Sequence, residues 1–159
     1  MQIKPVDTFD YVVFGATGDL TMRKLLPALY YRFRDKQFSE QCRIIGTARS
    51  PMDDDGFRAR AAEALEQHVP KEDRDKPVIR KFLDLLHYVR GDATAPGGLE
   101  ALAKLLGGGE DRVRVFYLAT SPDLYGPTST NLAGRGSAEM SSTRFRLLRK
   151  RECAGPGGT

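Results

Sequence analysis

The sequence predicts an α/β fold, a doubly wound parallel sheet left incomplete at its C-terminal side. Three observations carry that reading. Short runs rich in β-branched and aromatic residues alternate with segments whose apolar residues recur at spacings of three and four. Their order, β-α-β-α-α-β-α-β-α, is that of crossover units packing helices on both faces of a sheet. A glycine turn, Gly15-Ala-Thr-Gly18, directly follows the first apolar run and precedes a helix. Open sheets of this kind bind ligands at the carboxyl ends of their strands.

Taken in order, Tyr11–Phe14 reads as a buried strand that stops at Gly15. A helix follows from Leu20, with Leu25, Leu26, Leu29, Tyr30 and Phe33 on one face. Pro27 within it predicts a kink or a break, because proline removes a helix hydrogen bond. Arg43–Ala48 is a second strand. Ser50 or Asp53 can cap the next helix, whose apolar face runs through Phe57, Ala61, Ala62 and Leu65. Residues 68–77 read as a polar loop, 78–86 as a helix and 88–90 as a weak strand. A short helix over 97–106 is closed by the glycines at 107–109. Residues 113–119, VRVFYLA, form the strongest strand, and 123–132 a last helix. No internal repeat is visible.

With 159 residues the chain has the length of one domain. No apolar run approaches the roughly 20 residues needed to span a bilayer. The first ten residues lack the apolar stretch of a secretory signal, so the cytoplasm is the expected compartment. Cys42 and Cys153 are too few and too scattered for a disulfide scaffold or a zinc site, and no metal is expected. The net charge of +4 could suggest a nucleic-acid partner. Basic and acidic residues balance over residues 1–133, however, and the whole excess falls in residues 134–159. The body is neutral and the basic character belongs to the tail, which argues against nucleic acid.

The glycine turn has a physical purpose where it stands. Gly15 allows a sharp turn off the strand, and Gly18 allows a phosphate to approach the backbone. The helix that follows opens with unpaired N–H groups and a partial positive charge, a good seat for a pyrophosphate. Thr17 can add a hydroxyl. The pattern departs from G-x-G-x-x-G, because the middle glycine has moved and Thr21 replaces the third. In its setting between strand and helix it points to a Rossmann-like dinucleotide site, with a purely structural turn as the alternative. NAD binders usually carry an acid near the end of the second strand. Here that strand ends in Arg49, whose guanidinium suits a 2′-phosphate, so NADP is expected and NAD less so. The alternative is that Arg49 is a surface arginine or balances Asp53, Asp54 and Asp55. Lys24 can reach a phosphate or a substrate oxygen, or is simply solvated.

Three stretches, FGATGDLTMRKLLPALY, IIGTARSPMDDDGFR and VFYLATSPDLYGP, resemble the amino-terminal coenzyme domain of the glucose-6-phosphate dehydrogenases, over about residues 9–133. The resemblance implies hydride transfer from glucose 6-phosphate to NADP, giving 6-phosphogluconolactone at the entry of the oxidative pentose phosphate pathway. It implies that Gly15, Ala16, Thr17, Gly18, Asp19 and Leu20 face the coenzyme phosphates and Arg49 the 2′-phosphate. Asp92 and Ala93 then lie near the adenosine end, Ser121 and Pro122 near the nicotinamide, and Lys24 and Tyr125 near substrate.

That family's later motifs, reading E-K-P and R-I-D-H-Y-L, do not occur in the sequence, and the histidines, His68 and His87, lie in no comparable motif. No catalytic residue is assigned, and the expectation is a coenzyme-binding part inactive by itself. The alternative is a non-catalytic NADP-binding module that pairs with an intact enzyme. Residues 134–159, rich in Arg, Gly and Ser, have the composition expected of an out-of-frame or disordered extension, or of a short basic tail. A sheet without its completing strands predicts marginal stability and an exposed apolar edge.

Overall fold

The computed structural model describes residues 8–107, 112–120, 122–124, 126–128, 130 and 145–149. Five strands form one parallel sheet: β1 (Phe9–Phe14), β2 (Arg43–Ala48), β3 (Leu86–Arg90), β4 (Val113–Leu118) and β5 (Phe145–Arg149). Their order is β3-β2-β1-β4-β5, and every neighbouring pair is parallel. Strands are therefore added outward from β1 first on one side and then on the other. All six residues of β1 are buried, as a central parallel strand covered on both faces requires.

The two faces carry separate cores. On one, α1 (Leu26–Arg34), α2 (Asp54–His68) and α3 (Lys76–Asp84) pack Tyr30, Phe57, Leu65 and Phe82 against Val13 and Ile44. On the other, Leu102 and Leu106 of α4 (Glu100–Leu106) pack on Val12, Phe14, Ile45, Phe116 and Leu118. Asp10 is fully buried at the start of β1, where Arg43 grips both carboxylate oxygens at 2.8 and 2.7 Å and Arg112 adds a bond of 2.9 Å.

Pro27 does not break its helix. The segment is helical from residue 19, widens into a π-turn over Thr21–Leu25, and continues as α1. The Leu26 amide donates to the Thr21 carbonyl, five residues back. The wider turn lies where the proline ring would otherwise press on the carbonyl four residues before it. Asp53, not Ser50, caps α2, its carboxylate accepting from the Gly56 amide at 2.7 Å.

Several elements differ from the sequence expectation. Helix α3 ends at Asp84, because Leu86 and His87 pair with Ile44 and Ile45 in the β2–β3 ladder. The short helix begins at Glu100, after a turn in which Gly97 has φ +73°. Phe145–Arg149, in the stretch read as tail, is a fifth strand whose partner is β4. The free edge of β4 supplies backbone donors and acceptors that local periodicity does not reveal. Of the last helix expected over 123–132, Pro122–Leu124 is a 3-10 turn and residues 126–128 and 130 are helical, while 125, 129, 131 and 132 lie outside the described residues.

Candidate functional site

The carboxyl ends of β1, β2, β3 and β4 surround a cleft of about 280 Å³. Register explains how they meet there. Phe14 pairs with Thr47 on one side and Leu118 on the other, so Gly15 leaves the sheet between the ends of β2 and β4. Gly15 has φ +81°, and a Cβ on it would stand 2.9 Å from the Ala119 carbonyl oxygen. The turn is pinned from three sides. The Thr47 carbonyl accepts the Gly15 and Ala16 amides at 3.1 and 3.3 Å, and the Gly15 carbonyl accepts the Gly18 amide at 3.0 Å. The Thr21 hydroxyl also donates to the Gly15 carbonyl, at 3.1 Å. The threonine that replaced the third glycine thus closes the turn.

The first helical amide to bond back is that of Met22, to Gly18. Those of Asp19, Leu20 and Thr21 precede it and have no acceptor within the helix, which makes this end attractive to an anion. At Gly18 a Cβ would meet only the Gly15 carbonyl oxygen, at 3.2 Å. The contact is tight but less severe than at Gly15, and the Gly18 φ is not in the left-handed region.

Arg49 is exposed at the rim, and the backbone around it is held by β3. The Ala48 carbonyl accepts from the Gly91 amide at 3.0 Å and the Arg49 carbonyl from Arg90 Nε at 3.0 Å. The Tyr88 hydroxyl bonds to the Ser50 carbonyl at 2.7 Å and to that of Ala48 at 3.2 Å. The aspartates that could have neutralised Arg49 are engaged elsewhere. Asp53 caps α2, Asp54 meets the Tyr88 amide and His87, and Asp55 lies 3.8 Å from Arg58. Asp92, which also lines the cleft, is held below its usual pKa first by the Thr94 hydroxyl and then by the Thr94 amide, with the charge of Arg49 acting in the same direction.

The family profile described as "Glucose-6-phosphate dehydrogenase, NAD binding domain" matches residues 12–148. The chain belongs to this glucose-6-phosphate dehydrogenase family. The match runs past residue 133, where the sequence resemblance was placed, and reaches into β5. Among curated relatives, glucose-6-phosphate 1-dehydrogenase of Rhizobium meliloti (strain 1021) is 46% identical over 131 residues, covering 82% of this chain and 27% of that protein. The enzyme of Gluconobacter oxydans (strain 621H) is 49% identical over 129 residues, covering 80% and 26%. The chain thus spans about a quarter of the length of these relatives. The crystal structure of glucose-6-phosphate 1-dehydrogenase from Mycobacterium avium superposes with a TM-score of 0.74 at 30% identity, over 88% of this chain and 29% of that one. A glucose-6-phosphate dehydrogenase in complex with its substrate glucose-6-phosphate shares the fold, with a TM-score of 0.78 at 24% identity, over 92% and 31%. The chain carries the nicotinamide-dinucleotide-binding domain of the glucose-6-phosphate dehydrogenases.

Of the site residues expected from sequence, the cleft gathers Gly15, Thr17, Gly18, Arg49, Asp92 and Ala93. It does not gather Ala16, which is fully buried in the core, where it would lie 2.7 Å from a Cβ on Gly46. Asp19 is turned to Arg23, 3.0 Å away, and Leu20 and Lys24 are not among the lining residues. Pro122 opens the 3-10 turn from which Leu124 reaches the cleft, while Ser121 and Tyr125 lie outside the described residues. His87 pairs with Asp54 away from the cleft, in keeping with a structural histidine. Thr47, Thr120 and Thr128 line the cleft without having been singled out, since a threonine at a strand end has no distinguishing local pattern. Among the described residues no helix is long and apolar enough to cross a membrane, and no cluster suits a metal ion.

Proposed function

We propose that this chain is the coenzyme-binding part of a cytoplasmic glucose-6-phosphate 1-dehydrogenase and that it takes NADP in preference to NAD. The observation that carries the preference is Arg49. It lines the cleft at the end of β2, and no acid lies within ion-pair distance of it among the described residues. A guanidinium so placed suits a dianionic 2′-phosphate, whereas an NAD site would present a carboxylate to the ribose. The residues fit the rest of the coenzyme. The free amides of Asp19 and Leu20, beside the side-chain-free backbone of Gly18, receive the pyrophosphate, and Thr17 adds a hydroxyl. Asp92 and Ala93 border the adenosine end, and Ser121, Pro122 and Tyr125 the nicotinamide end. Bound there, the nicotinamide ring supplies the hydride acceptor for oxidation of glucose 6-phosphate, with Lys24 on the sugar side.

Calorimetric titration of the chain with NADP and NAD, repeated on Arg49→Ala, tests the reading. The wild type is expected to bind NADP more tightly, and the variant to lose roughly 10- to 100-fold in NADP affinity with little change for NAD. An equal loss for both coenzymes would remove Arg49 from the 2′-phosphate.

A further inference from the structure

Three hydroxyls that line the cleft, those of Thr47, Thr120 and Thr128, are buried and have no hydrogen-bond partner. Thr47 and Thr128 are 2% and 1% exposed. Among the described residues only two other buried side-chain polar atoms lack a partner, Arg74 Nε and Arg114 Nε, and neither lines the cleft. A buried hydroxyl without a partner inside the protein is uncommon. Three of them on one cleft call for an oxygen-rich occupant.

The fold separates them. Thr47, the penultimate residue of β2, is in register with Phe14 and Val89, on the side of β1 from whose strands Arg49 and Asp92 follow. Its hydroxyl lies 3.4 Å from where a Cβ on Gly91 would stand. Thr120 follows β4, on the other side of β1 from β2, and Leu124 and Thr128 of the segment that continues from it also line the cleft. The glycine turn leaves the sheet between the ends of β2 and β4.

We propose that the Thr47 hydroxyl hydrogen-bonds the adenosine half of the bound dinucleotide and the Thr128 hydroxyl its nicotinamide half. The inference rests on the reading of the cleft as a dinucleotide site. Thr47 then acts twice: its carbonyl shapes the turn through the Gly15 and Ala16 amides, and its hydroxyl meets the ligand. A hydroxyl with no partner inside the protein holds no other part of the fold in place. Its removal therefore weakens binding while leaving the free protein as stable or more so.

The test uses Thr47→Val and Thr128→Val in the full chain. Both are titrated with NADP and with adenosine 2′,5′-bisphosphate, and both are melted without ligand. Each variant is expected to lose roughly three- to tenfold in NADP affinity and to melt at or above the wild-type temperature. Thr47→Val should lose the same factor for adenosine 2′,5′-bisphosphate, Thr128→Val none, and Thr47→Ser should retain wild-type affinity. Unchanged NADP affinity in the two valine variants overturns the proposal, as does a lower ligand-free melting temperature with affinity intact. A loss of adenosine 2′,5′-bisphosphate in Thr128→Val overturns the division between halves. A wild type that binds neither NADP nor NAD overturns the dinucleotide reading itself, and this inference with it.

Discussion

At Gly15 a methyl group would stand 2.9 Å from a carbonyl oxygen on a backbone with φ +81°, whereas at Gly18 it would meet one oxygen at 3.2 Å. The fold therefore demands glycine more strictly at the first position of the turn than at the second. Gly15→Ala is expected to cost on the order of 2 kcal/mol of stability, seen as a lower urea midpoint. Gly18→Ala should lower that midpoint less and weaken NADP in calorimetry; a loss of stability as large as that of Gly15→Ala would contradict the assignment. Asp10 gives the residue scale its pH dependence. Burial alone would raise its pKa, but the hydrogen bonds from Arg43 and Arg112 outweigh it and hold the carboxyl below its ordinary 3.8. A folded-state pKa below the unfolded one stabilises the protein above pH 3.8, and that contribution is lost as the pH falls through the lowered value. Melts between pH 7 and pH 3 should show this acid loss, and Asp10→Ala should abolish it at a cost of about 3–5 kcal/mol at neutral pH, since two partly buried guanidinium groups then lose their anion.

At the scale of elements, β3 does more than complete the sheet. Tyr88, Arg90 and Gly91 bond to three successive carbonyls at the end of β2, those of Ala48, Arg49 and Ser50. This fixes the backbone from which Arg49 extends. Tyr88→Phe is expected to lower NADP affinity a few-fold, to lower NAD affinity less, and to cost about 1 kcal/mol of stability. If the ratio of the two dissociation constants is unaltered, Tyr88 supports the fold alone. The same strand shows where sequence reading stops. Val78–Leu86 looks helical because its apolar residues recur at helical spacing, yet Leu86 joins the ladder opposite Ile44. Periodicity describes a segment's faces and is silent about which partner claims its backbone. The π-turn over Thr21–Leu25 is a similar case: Pro27 announces a disturbance, and packing selects a change of helix register over a break.

For the molecule as a whole, the order β3-β2-β1-β4-β5 opens the cleft where chain additions change side, between β1 and β4. Because the cleft is built from the ends of four strands, a ligand in it ties together segments far apart in sequence. NADP at 100 times its dissociation constant should add about 2.7 kcal/mol of stability, raising the melting temperature on the order of 5–10 °C. A melting curve unmoved by saturating NADP would argue against the site.

The sequence by itself determined the α/β class, the glycine turn and the arginine at the end of the second strand. Each is a local matter: alternation of periods, a residue without a side chain where a strand meets a helix, and a charge at a known distance along the chain. Only the tertiary structure decided that Ala16 points into the core and that Thr21 replaces a glycine as the closure of the turn. It alone brought the hydroxyls of Thr47 and Thr128 to one cleft. Those outcomes depend on strand register and on which neighbour takes each backbone group. Both are set by pairings between residues up to a hundred positions apart, which no local pattern records.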